Sequence, residues 1–255
     1  SLYALTFPIL PASQVAADMP AGTGPYKYDG YEQGSAIWLT ANDGWWNRPP
    51  QVRYVRASIY DTAEQALNAF DTQSVDIAMT RSINASRYSG SLNTFSITAR
   101  TRQLEVLLVN RAYKDFKSDD NGQNLLRQAI SYAINRSELI SSAYQNMATV
   151  AYTPIPSGTW LSNESTIRDI YDPLMAASLL DSAGYKLADD GNRYKDGKKM
   201  ESLRLLVYDE PGSTARTNAA NKIVDQLAAV GIPAFGPDKA AARIEASKVF
   251  SKDLM

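Results

Sequence analysis

An α/β architecture follows from three features of the sequence. Residues 52 to 80 read strand, helix, strand, the βαβ order that implies a parallel sheet. Two further apolar runs, LEVLLVN and LRLLVY, have the composition of interior strands and lie among stretches with helical periodicity. At 255 residues there is chain enough for one large domain or two of ordinary size, so two lobes fit.

The elements can be justified in order. SLYALTFPIL reads as a strand joined mid-protein, since it lacks the basic start and small-residue cleavage site of a signal peptide. Neither end of the chain resembles a natural terminus, and a fragment is expected. Pro11 to Asp18 suit a short helix, and the turn MPAGTGPY follows, stiffened by Pro25. Tyr26 to Tyr31 and Ser35 to Asn42 read as two strands of a hairpin joined at Glu32 to Gly34. After the loop DGWWNRPP, VRYVRASIY is a half-buried strand. Thr62 caps a helix with Ala63, Ala66, Leu67 and Phe70 on one face, and VDIAMT is a short buried strand.

FSITART and LEVLLVN open the second half, the latter as a central strand. In NLLRQAISYAINRSELISSAYQ, Leu125, Leu126, Ala129, Ile130, Ala133 and Ile134 form one broad helical stripe. Ser137 is placed as the cap of a second helix, with Ile140 and Tyr144 inward. TVAYTPIPSGTWLSNES is too proline-rich for regular structure. Asp172 before Pro173 starts a helix that Gly184 stops. LADDGNRYKDGKKM reads as a hairpin turning at Asp189 to Gly191. LRLLVY is a strand, Thr214 to Ala229 a helix ended at Gly231, IPAF a strand, and Asp238 to Phe250 one more helix.

Composition excludes whole classes of chemistry. There is no histidine and no cysteine, which removes Ser-His-Asp and Cys-His catalysis, imidazole- or thiolate-bound metal, and disulfides. With 26 Lys+Arg against 27 Asp+Glu, broad nucleic-acid affinity is not expected. No run of about 18 apolar residues occurs, so no helix spans a bilayer. The GTG of GTGPY lacks the lysine and spacing of a phosphate loop, and no cofactor motif is present.

Other features have a bland and a sharp reading. Trp45 and Trp46 with Arg48 could stack on a ligand, and covering a core edge is the preferred reading. Asp189, Asp190 and Asp196 lack calcium-loop spacing and fit Asp-Gly turns, so no metal site is assigned. Lys195, Lys198 and Lys199 read as a wetted hairpin face. Carboxylate pairs such as Asp76 with Asp209, or Glu105 with Asp115, could serve glycoside chemistry, but no sign of convergence is present, and no catalytic residue is assigned.

Six segments, in order, resemble the extracellular solute-binding proteins of peptide, dipeptide and nickel ABC transporters (family 5). They are PAGTGPYKY, ALNAFDTQSVDIA, LLVNRAYKDFKSDDNGQNLLRQAISYAINRSELI, AYTPIPSG, DPLMAASLLDSAGY with DGNRYKDGKKM, and KIVDQLAAVGI. Together they cover most of residues 7 to 232.

The resemblance implies a two-lobed periplasmic-binding-protein-like (type II) α/β fold, here incomplete, with mixed β-sheets flanked by helices. Residues 1–102 would form part of the first lobe with hinge-proximal strands, and 103–255 a second lobe incomplete at its C-terminus. The lobes of such a protein close over a peptide ligand and present it to ABC transporter permease subunits. The rigid GTGPY corner would orient one lobe. Ligand contacts would come from Thr80, Arg81, Ser82 and Ile83, from Arg102 and Gln103 near the crossing strand, from Tyr152 to Pro156, and from Tyr208 and Asp209 at a strand end. The family's aspartate for the peptide amino group would lie beyond KDLM, past the last residue. An extracytoplasmic monomer is expected, in the periplasm or held at the outer surface by a lipid anchor. The alternatives are a ligand-sensing domain of a regulator with the same fold, or binding of a nickel chelate or a sugar.

Overall fold

In the computed structural model, residues 12–14, 22–101, 103–111, 113–117, 123–162, 171–208 and 214–240 are described. The chain divides into two compact units, Ser1–Ala78 and Met79–Met255. The opening strand reading, SLYALTFPIL, lies outside the described residues, as does most of the Pro11 to Asp18 helix; of the latter, Ala12–Gln14 form a 3-10 turn.

The first unit holds an antiparallel sheet of β1 (Tyr26–Glu32), β2 (Ala36–Ala41) and β3 (Tyr54–Ser58), in that order. The predicted hairpin turn lies between Glu32 and Ala36, where Gly34 takes a φ of +70°. Register slips by one between Tyr28 and Gly30 against β2, a bulge that turns the strand. The GTGPY corner is pinned from the far side of the hairpin. The Trp45 Nε1–H donates to the Thr23 carbonyl at 2.9 Å, the Asn42 backbone N–H to Pro25 at 2.8 Å, and the Asn42 amide to Gly24 at 3.3 Å. Trp45 therefore braces the corner, whereas Trp46 is 81% exposed and covers no core, correcting the joint reading of the two.

Helix α1 (Ala63–Asp71) begins as predicted, with Thr62 and Gln65 forming a reciprocal capping box and Leu67 fully buried. The expected βαβ unit is not formed around it. β3 pairs antiparallel with β2, and VDIAMT is not a strand; Ile77 is 86% exposed and Met79 92%. FSITART and LEVLLVN likewise have no strand structure, and Phe95, Val106 and Leu108 are exposed. A β-prone sequence becomes a strand only when a neighbouring backbone takes up its N–H and C=O groups. Among the described residues these segments have no such neighbour.

The second unit is built on α2 (Leu125–Ala133), α3 (Arg136–Ala143), α4 (Pro173–Ser182) and α5 (Ala215–Ala229). α2 buries Leu126, Ala129, Ile130 and Ala133, the predicted stripe, against Ala176 and Leu180 of α4 and Leu227 of α5. α4 is capped by Asp172, whose Oδ1 accepts the Met175 N–H at 2.9 Å, with Pro173 next and Gly184 at φ +89° past its end. The cap of α3 is Asn135 rather than Ser137. Its Oδ1 accepts the Glu138 N–H at 3.0 Å, because the chain leaves helical geometry at Ile134 and the new helix starts at once.

The polar excursion forms β4 (Lys186–Leu187), β5 (Arg193–Lys195) and β6 (Lys198–Lys199), so a second turn at Asp196 and Gly197 adds a strand to the predicted hairpin. A βαβ unit does occur later in the chain: β7 (Leu203–Tyr208), α5 and β8 (Ala234–Ala240), with β7 and β8 parallel. Asp238 to Ala240 belong to β8, which corrects the start of the predicted last helix; its remaining residues lie outside those described.

Arg193 holds the helices in place. Its side chain is buried, its Nε–H donates to the Val230 carbonyl at 2.8 Å, and its Nη1 donates to the Tyr185 carbonyl at 2.8 Å and to Asp181 Oδ1 at 2.7 Å. Those acceptors cluster at the carboxyl ends of α4 and α5, where helix carbonyls lack partners and a cation is favoured. Gly231, at φ +81°, lets the guanidinium approach; a Cβ there would meet Arg193 Nε at 3.0 Å.

Three outcomes follow. Arg193→Met should lower the unfolding free energy by about 2–4 kcal/mol, since charge-assisted bonds to two carbonyls and a carboxylate are lost together; urea titration measures it, and an unchanged midpoint would show that water replaces the donors. Gly231→Ala should cost about 1 kcal/mol or more through its left-handed φ and the contact with Arg193. Burial, with the charge and hydrogen bond of Asp115 next in weight, pushes the Tyr185 phenol from 10.0 up to about 12, and burial with a bond to Glu201 pushes Tyr113 up too. A raised phenol favours the folded chain while protonated, so its stability is intact below about pH 10 and fades from there towards about pH 12. Tyr185→Phe should flatten that part of an alkaline unfolding curve.

Candidate ligand-binding site

The carboxyl end of β7 carries a cluster assembled from three distant segments. Tyr208 closes the strand, Arg216 stands in the first turn of α5, and Glu105 comes from the irregular run before α2. The Arg216 guanidinium lies 3.8 Å from the Tyr208 ring centroid and grips Glu105 with two bonds, Nη2 to Oε1 at 2.6 Å and Nε to Oε2 at 3.0 Å. Its Nη1 also reaches the Tyr208 carbonyl at 3.5 Å. Stacking and a two-point grip fix the plane of the guanidinium, so it presents a preoriented fork suited to carboxylates. The Arg216 side chain is 14% exposed and that of Glu105 48%, so the carboxylate is the solvent-facing partner.

Arginine in the first turn opposes the helix dipole, and Thr214 makes no side-chain capping bond. Sequence reading assigned Tyr208 and Asp209 here and missed Arg216. The signal available was that misplaced cation, a local rule broken without local compensation. Glu105 was weighed only as a partner of Asp115. In the structure Glu105 pairs with Arg216, while the charge of Asp115 acts on the Tyr185 phenol.

The other expected contact residues occupy separate places. Thr80 and Ser82 form a tight turn, the Ser82 N–H donating to Thr80 Oγ1 at 3.0 Å, and Ser82 caps the 3-10 helix Ile83–Tyr88. Arg81 is exposed and Ile83 half-buried. Gln103 is exposed, its N–H directed to Thr101 Oγ1, and Tyr152 is 38% exposed in the irregular connection. Among the described residues, the side-chain-linked hydrogen bonds of Thr80, Ser82 and Gln103 are local. Arg102 and Asp209 lie outside the described residues.

An open hollow of about 240 Å³ between α3, α5 and the start of α4 is the alternative location. It is smaller than most ligand cavities. Three of its polar groups are committed to each other, with Glu138 Oε1 on Lys222 at 2.7 Å and Oε2 on Gln226 at 2.9 Å. Those bonds hold the Glu138 carboxyl below its ordinary range. Among the described residues no group of acidic side chains is placed to hold a metal ion, and no helix is long and apolar enough to cross a membrane.

Known proteins share this architecture. Heme-binding protein A of Haemophilus influenzae is 29% identical over 171 residues, which is 65% of this chain and 30% of that protein. Oligopeptide-binding protein AppA of Bacillus subtilis is 26% identical over 221 residues, 84% of this chain and 38% of the relative. A nickel ABC transporter structure from Bacillus halodurans superposes with a TM-score of 0.71 at 20% identity, covering 94% of this chain and 49% of the other, which shows the fold. The chain thus spans about a third of the length of the two curated relatives. The model of the middle part of the bacterial extracellular solute-binding proteins, family 5, matches residues 7–234, and the chain belongs to that family of binding proteins.

Proposed function

We propose that this chain is part of the substrate-binding component of an ABC importer that takes up extracellular oligopeptides. The observation that carries the reading is the fork of Arg216 at the carboxyl end of β7, in a chain 26% identical to an oligopeptide-binding protein over 221 residues. A ligand carboxylate can replace Glu105 on the guanidinium, exchanging one charge-assisted pair for another at little desolvation cost. Thr80, Arg81, Ser82, Ile83, Arg102, Gln103, Tyr152, Tyr208 and Asp209 would line the rest of the ligand path. Main-chain hydrogen bonds would supply most of the affinity for an extended peptide and leave side chains loosely specified. Ligand contacts on both lobes would favour the closed form, which docks on the permease subunits. The protein would work as a monomer in the periplasm or on a lipid anchor.

A metal chelate is the second reading, since relatives carry heme and nickel in their names. With no histidine or cysteine, this chain would have to hold the chelator rather than the metal.

Calorimetry on the full-length protein separates the two. A pool of tri- to pentapeptides should release heat on binding, while nickel-histidine should not; the reverse result removes the peptide assignment. Arg216→Ala should weaken free-acid peptides by about tenfold or more and leave C-terminally amidated peptides unchanged. An equal loss for both would show that Arg216 acts on the fold and not on a ligand carboxylate.

A further inference from the structure

The turn after α3 is strained, and the strain has an evident product. Gln145 and Asn146 both take left-handed backbone angles, φ +49° and +61°, although neither is glycine. Consecutive non-glycine residues in this region cost free energy and persist only where the surroundings hold them there. Here the Tyr144 N–H donates to the Leu139 carbonyl at 3.3 Å and the Asn146 N–H to Ile140 at 3.0 Å, closing the helix end. The resulting turn directs the Gln145 side chain to the 3-10 helix Ile83–Tyr88, where its Oε1 accepts the Ser86 hydroxyl at 2.5 Å across 59 residues of sequence. Ser86 lies four residues beyond Ser82, which both caps that 3-10 helix and closes the Thr80 turn.

We infer that the Ser86–Gln145 bond is a latch that positions the Thr80–Ile83 turn for the ligand, and that the left-handed turn at 145–146 exists to aim it. Ser86 and Gln145 are positioning residues: they act on the ligand through the turn. Helix α3 is packed through Ala143 and Leu139, so it supplies the fixed end, while the turn and its short helix are the held end. The ligand-facing role of Thr80–Ile83 rests on the peptide-binding reading above; the latch itself does not.

Hydrogen exchange on this chain tests the latch. Ser86→Ala and Gln145→Ala should each speed exchange of the Asn84, Ala85 and Ser89 amides by roughly fivefold, the value of one exposed neutral bond, with α2 and α4 unaffected. Ser86→Thr keeps the donor and Gln145→Glu the acceptor, and both should restore protection. Gln145→Gly relieves the left-handed cost yet loses the bond, so it should loosen the turn as much as Gln145→Ala. Unchanged exchange in Ser86→Ala, or a loss spread through α2 and α4, overturns the latch. In the full-length protein, Gln145→Ala should weaken a pool of tri- to pentapeptides by a similar factor while Gln145→Glu does not. Faster exchange with unaltered peptide affinity overturns the positioning role; a parent protein that binds no peptide, with exchange still responding, overturns the peptide reading and leaves the latch standing.

Discussion

A single guanidinium organises the second unit. Arg193 is brought into the interior by a three-stranded excursion of two- and three-residue strands too short to be stable alone, and it meets the carboxyl ends of α4 and α5 together. A buried arginine is costly unless its donors are used. Here two carbonyls and Asp181 take three of them, and Asp181 is half exposed, so the charge is compensated without burying a second ion fully. The helix ends cannot separate without stranding that charge, and this fixes the crossing on which Leu180, Leu227 and Ile232 pack. The adjacent Tyr185 is buried by the same arrangement, which is why its phenol resists ionisation.

The sheets are less complete than the helical core. A parallel pair such as β7 and β8 is normally one part of a wider sheet covered on both faces. Leu104 to Val109 have no strand pairing among the described residues, and Val106 and Leu108 are exposed. The Glu105 and Arg216 pair nonetheless ties that run to the end of β7. Electrostatics thus places a segment whose backbone pairing is absent among the described residues, and in doing so builds the fork proposed above for a ligand carboxylate.

The Arg216 fork and the Thr80 turn are held in different ways. The fork is fixed by stacking on Tyr208 and by the resident Glu105 carboxylate. The 3-10 helix Ile83–Tyr88 that follows the Thr80 turn is instead joined through Ser86 to the strained helix end at Gln145.

Local signals in the sequence determined much of this protein. Capping at Thr62 and Asp172, the stops at Gly184 and Gly231, the apolar stripe from Leu125 to Ile134 and the hairpin around Gly34 were all legible, because each depends on residues within one or two helical turns or one tight turn of each other. The missing histidine and cysteine likewise bounded the chemistry without any coordinates. Tertiary structure alone decided the rest. Whether VDIAMT or LEVLLVN becomes a strand depends on a distant backbone, and the helix end braced by Arg193, the carboxylate on Arg216 and the hydroxyl on Gln145 come from 37, 111 and 59 residues away. No periodicity encodes such pairings, since they are set by which faces of the core come to rest against one another.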